Sequence, residues 1–131
     1  MKRIAIQPRG VAKPGGHYSH GIIAEDARRT LYVAGQVPLD EAGRLVGAGD
    51  IEAQARQVMR NIQLVVEAAG GRMEDVAKTT VFATRLDHRG PIGKVRQEFF
   101  KGDPPGNTFL VISGLANPDF LVEIEAIVPL P

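Results

Sequence analysis

At 131 residues the chain is long enough for one hydrophobic core and too short for two, so residues 1–131 are read as a single domain. Its 44% hydrophobic and 24% charged residues are ordinary for a globular protein, and 16 basic against 15 acidic residues leave a net charge of +1 with no run of either sign. That balance argues against a dedicated nucleic-acid or anionic-membrane surface, and the lack of cysteine excludes disulfides, thiolate nucleophiles and Cys-based metal sites.

The opening "MKRIAIQPRG" has no apolar stretch of signal-peptide type, and no segment is long enough to cross a bilayer, so a cytoplasmic protein is expected. Residues 3–6 predict a short strand. His17 and His20 follow in "GHYSHG", three apart on a Gly-rich lead-in and not on a helix, so their rings need not converge. With no Cys and no HExxH pattern, neither a metal nor a cofactor is expected. Strands are predicted over 20–27 and 30–37.

The next segment, "GDIEAQARQVMRNIQLVVEAAGG", repeats apolar residues at helical spacing: Ile51, Ala55, Val58, Met59, Ile62, Val65, Val66 and Ala69. Asp50 is placed to cap its start, and Gly70-Gly71 its end. Asn61 flanks the stripe and reads as a satisfied core amide. Residues 75–85, rich in β-branched side chains, predict a strand. A second helix is predicted from Pro91 to Lys101, with Pro91 at its first position and Ile92, Val95 and Phe99 on one side. Strands over 107–115 and 120–128 complete the chain, joined by the turn residues "ANPD".

This order predicts a mixed sheet with two helices on one face. The strand–helix–strand step between 30 and 85 suggests a right-handed crossover and a parallel pair, and the last two strands suggest a hairpin. Residues 107–115 are largely apolar at both odd and even positions, yet two helices cover only one side, so self-association is expected. In the last strand, alternation puts Val122, Ile124, Ala126 and Val128 on the helix side. Leu121, Glu123, Glu125 and Ile127 fall on the other. A carboxylate there is either solvated or lines a cleft between subunits, where burial would suit it to acid–base work.

Seven blocks, "GHYSHGI" (16–22), "LYVAGQVPLDEAGRLV" (31–46), "QARQVMRNIQLVVEAAGG" (54–71), "VAKTTVFATRLD" (76–87), "QEFF" (97–100), "PPGNTFLVISGL" (104–115) and "VEIEAIV" (122–128), resemble those of the reactive intermediate/imine deaminase (Rid, or YjgF) family. The resemblance covers roughly residues 14 to 128, and G-Q-x-P-x-D-x-x-G and E-I-E-A are its most specific parts. It implies a chorismate-mutase-like α/β fold and a homotrimer with sites in the clefts between subunits.

The resemblance also implies site residues. Tyr18 matches a pocket-lining tyrosine, Gly35 a glycine that lets backbone approach a ligand, and Glu123 the acidic residue that helps position or protonate water. Phe82 and Phe99 match apolar wall. Asn107 stands where the family has an Arg that grips a substrate carboxylate, and Gly93 where many members have Asn. A planar guanidinium suits that task because it makes two parallel charge-assisted bonds. Arg85, Arg89 and Arg96 are candidate substitutes, each with the alternative reading of a surface arginine. If the charge is simply missing, Asn107→Arg is expected to raise activity on 2-imino acids.

The expected function is therefore hydrolysis or deamination of a small imine, enamine or carbonyl acid in an intersubunit cleft. The expected partners are further copies of the chain and a small organic acid. The alternatives are a non-catalytic metabolite-binding trimer and, ranked last, RNA cleavage or translation inhibition, since the chain has no Trp and no basic stripe. Ser113 lacks a nucleophile elbow, and the glycine-containing turns are too Gly-poor for a phosphate loop.

Overall fold

In the computed structural model, which describes all of residues 1–131, the elements run β1 (Lys2–Ile6), β2 (Gly21–Glu25), β3 (Arg29–Gln36), α1 (Ile51–Ala68), β4 (Lys78–Ala83), α2 (Arg89–Phe99), β5 (Gly106–Val111) and β6 (Val122–Leu130). The long helix forms where its periodicity and caps place it. Asp50 accepts a hydrogen bond from the Ala53 N–H at 3.1 Å, and Gly70, at φ +84°, turns the chain out of the helix. Ala55, Val58, Met59, Ile62 and Val66 are fully buried, and the Asn61 amide donates to the carbonyls of Val37 and Leu39.

The second helix starts earlier than its sequence suggests. It grows at Arg89 out of a 3₁₀ turn over Leu86–His88, so Pro91 lies inside the first turn and not at the first position. No hydrogen bond is lost, because the first four N–H groups of a helix have no partner within it.

Strand order corrects two expectations. The main sheet runs β3-β6-β4-β5, with a separate antiparallel ribbon of β1 and β2. The parallel pair is β4 with β5, connected through α2, whereas β3 and β4 run in one direction with β6 between them. β5 and β6 do not form a hairpin. "ANPD" does turn, with the Phe120 N–H on the Asn117 carbonyl and the Asp119 N–H on the Asn117 side chain. Local turn chemistry reverses the chain but does not choose the strand's neighbour. β6 instead takes the central place, where Val122, Ile124, Ala126 and Val128 fill the core under α1 at no more than 3% exposure.

The sheet therefore has one covered face and one bare one. Phe82 lies opposite both Leu110 and Glu123, and Tyr32 opposite Ile127, so these side chains share the face away from the helices. Tyr32 is 75% exposed, Leu110 43% and Ile127 39%. No helix is long and apolar enough to cross a membrane.

Candidate functional site

The apolar stripe of α2 packs on the core and leaves a cavity of about 740 Å³ between that helix, the 15–18 lead-in and the start of β5. Tyr18, Arg89, Gly93, Arg96, Asn107 and Phe109 are among its walls, and no Asp or Glu is. The lead-in is tied down beside it. Ser19 donates from its backbone N–H to the Pro105 carbonyl and from its hydroxyl to the Pro104 carbonyl. Tyr18 accepts a bond from the Gly15 N–H on its hydroxyl and packs edge-on to His20. His17 and His20 each bond to a backbone carbonyl, of Phe100 and Ala12.

Arg96 is the side chain that the sequence reading undervalued. It is 3% exposed, so the surface reading fails for it. Its Nη1 donates to the His17 carbonyl at 3.0 Å and its Nη2 to the Thr79 hydroxyl at 3.0 Å, while Nε has no partner. The guanidinium lies 5.4 Å from the centre of the Phe100 ring and is paired with no carboxylate. Burial pushes its pKa down to about 10, so it is still charged at neutral pH. The signal was in the helical spacing: Arg96 follows Ile92 by four and precedes Phe99 by three, on the flank of the buried stripe.

The other two arginines differ. Arg85 makes a two-bond pair with the exposed Asp87 and lies outside the cavity walls. Arg89 lines the cavity but is exposed to solvent.

Asn107 stands at the mouth of β5, opposite Thr79 of β4. The Thr79 hydroxyl donates to Asn107 Oδ1 at 2.7 Å. A smaller pocket of about 460 Å³ shares Tyr18 and Asn107 and includes Lys78, whose ammonium is held below its usual pKa by desolvation, against the opposing pull of Glu125.

The remaining expected site residues lie elsewhere. Glu123, Gly35 and Phe82 are on the bare face of the sheet. The Glu123 carboxylate occupies the space a side chain at Gly35 would fill, since a Cβ there would stand 2.8 Å from Glu123 Cδ. Phe99 packs on the edge of the core and does not line the cavity. One chain thus brings Tyr18 and Asn107 together on the helix side, and Gly35, Phe82 and Glu123 together on the opposite side. No group of three or more His, Asp or Glu side chains converges as a metal site would require.

Residues 10–130 match the family model described as endoribonuclease L-PSP. A crystal structure of YyfB from Yersinia pestis, described as a protein of unknown function of the conserved Rid family, is 32% identical with a TM-score of 0.87, covering 99% of this chain and 100% of that one. RidA from the Antarctic bacterium Psychrobacter sp. is 30% identical at a TM-score of 0.72, over 97% of this chain and 99% of its own. E. coli TdcF, solved with bound serine, is 26% identical at a TM-score of 0.72, over 98% and 99% of the two chains.

Proposed function

Since the chain belongs to the RidA-like family whose model is described as endoribonuclease L-PSP, we propose that it acts on a small imine, enamine or carbonyl acid in a cleft between copies of itself, hydrolysing the C–N bond of the first two. The observation that carries this reading is the division of the site residues between two faces of one sheet. If these residues serve one substrate, Tyr18 and Asn107 of one copy would meet Gly35 and Glu123 of a neighbouring copy. The bare face offers Tyr32, Leu110 and Ile127 as the apolar part of that interface. The ligand bound by TdcF, serine, is a small carboxylate of a size that a cavity of about 740 Å³ admits.

In this mechanism the cavity orients the acid end of the substrate. Tyr18 limits the opening, and the Asn107 amide donates to a substrate oxygen. Glu123 of the neighbouring copy takes a proton from the attacking water as the C–O bond forms and the C=N π pair moves to nitrogen, returns that proton to the nitrogen, and then carries the carbinol O–H proton to the amine as the C–N bond breaks and ammonia leaves. No metal or cofactor is required, because an imine carbon is already electrophilic.

The test is turnover of a panel of imines generated in place by an amino-acid oxidase. Ammonia release above the buffer rate supports the hydrolase. Saturable binding of the corresponding acids without turnover would replace it with the non-catalytic reading. Salt-sensitive binding and cleavage of RNA would favour the family model's description instead.

Assembly is tested separately. The protein is expected to run as a homotrimer at micromolar concentration in native mass spectrometry, and Leu110→Lys with Ile127→Lys to release monomers, by placing two charges per chain in an apolar contact. A wild-type monomer would remove the cleft and with it the proposed chemistry.

A further inference from the structure

Asn107 is neutral, yet it is wired to a buried positive charge. A guanidinium can only donate hydrogen bonds, so the Thr79 hydroxyl accepts from Arg96 Nη2 at 3.0 Å. The single hydroxyl proton then goes to Asn107, at 2.7 Å. The atom that receives it must be Oδ1, which fixes which way the amide points. Asn107 Nδ2 is left without a partner in the chain, on a residue that lines the cavity.

The geometry points to a relay, Arg96 to Thr79 to Asn107, that locks the Asn107 amide with its N–H groups toward the cavity and makes it a charge-assisted anchor for a carboxylate. Three features support an anionic partner. Arg96 is buried and has no carboxylate. The cavity walls include Arg89, Lys94 and Arg96, and no acidic residue. Lys94 is already engaged by Glu52 at 3.0 Å, and Arg89 is exposed, which leaves Arg96 as the cation held within a low-dielectric setting. Each link of such a chain polarises the next, so the field of Arg96 strengthens the Asn107 donors without the guanidinium touching the ligand. Arg96 and Thr79 are accordingly positioning residues, and Asn107 is the contact.

This inference rests on the proposed function only in taking the cavity as the acid-binding half of the site, and its test measures binding without turnover. The probes are 2-oxobutanoate and its primary amide, equal in shape and different in charge, titrated by calorimetry into the 131-residue chain. The wild type is expected to prefer the acid by about 10- to 100-fold. Thr79→Ser keeps the hydroxyl and should keep that ratio. Thr79→Val keeps the shape, removes the link, and should bring the ratio to within about threefold. Arg96→Gln, which can still donate to Thr79 but carries no charge, should lower the ratio in the same way, and it decides the matter if Thr79→Val does not fold by melting curve. A merely structural role for Arg96 or Thr79 would weaken both probes equally. An unchanged ratio in a folded Thr79→Val or Arg96→Gln, or a wild type that binds neither probe or both alike, overturns the relay. Selective binding without imine turnover would leave the relay standing and remove the hydrolase.

Discussion

Gly35→Ala is expected to abolish hydrolysis as completely as Glu123→Gln, each by about 10²–10⁴-fold in kcat, the range that a positioned general acid–base contributes. Glu123→Gln removes the ionisable oxygen outright. Gly35→Ala leaves the carboxylate in place chemically but takes its seat, since the new Cβ would lie 2.8 Å from Glu123 Cδ and closer still to Oε2. What must move is the far end of a flexible side chain, so the fold and the assembly should survive. The backbone of Gly35 does not lie in the left-handed region, so alanine meets no φ penalty there. Because both changes act on one group, the double variant should be no worse than either alone. Glu125→Gln is the control: it is on the same face, two residues along, and exposed. Full turnover in Gly35→Ala, or equal losses in Glu123→Gln and Glu125→Gln, would show that the seated carboxylate does no acid–base work.

Asn107→Asp is expected to make the protein more stable and nearly unable to bind its acid. At neutral pH, a guanidinium whose pKa burial has pushed down to about 10 costs the fold roughly 3 kcal/mol. The sign is that of a cation disfavoured in the folded state. The cost is present at every pH below the folded pKa of about 10, and is relieved as pH rises from there toward the ordinary arginine value. A carboxylate at position 107 would face Arg96 across the Thr79 hydroxyl, which both groups already reach. Partial compensation of about 1 kcal/mol would raise the melting temperature by about 3–5 °C. The same carboxylate replaces the Asn107 N–H donors with a negative charge, and affinity for 2-oxobutanoate should fall by about two powers of ten. A melting temperature below that of the wild type, or unchanged affinity, would contradict this account of the cavity.

The same geometry reverses the expectation attached to Asn107→Arg. Taken as a missing charge, position 107 invites an arginine. With Arg96 already donating to Thr79, a second guanidinium would crowd the same hydroxyl with another donor and add a like charge to an uncompensated one. Asn107→Arg alone should therefore lower the melting temperature without a gain in turnover. The combination with Arg96→Gln should recover part of both.

Much of the architecture was legible because it is written in local patterns. Ile51 to Ala69 declare a helix through 3.6-residue spacing, and Asp50 and Gly70 close it with interactions that span a few residues. Alternation alone sorted the last strand correctly, with Val122, Ile124, Ala126 and Val128 buried and Glu123 and Glu125 on the bare face. The uncovered side of the sheet followed from counting helices, and Tyr32, Leu110 and Ile127 are indeed left exposed by this chain. Tertiary structure decided what depends on partners distant in sequence. Nothing near "ANPD" says that β4 will take the place between β5 and β6, because strand neighbours are chosen by which edge completes the core and not by the turn. Nor does position 96 announce its environment. An arginine on a helix is ordinarily solvated, and Arg96 is buried because His17 and Thr79, from two distant segments, close over it beside Phe100 at the end of its own helix. Its link to Asn107 through Thr79 runs over contacts that span 17 and 28 residues of chain and exist only once the sheet and α2 have packed.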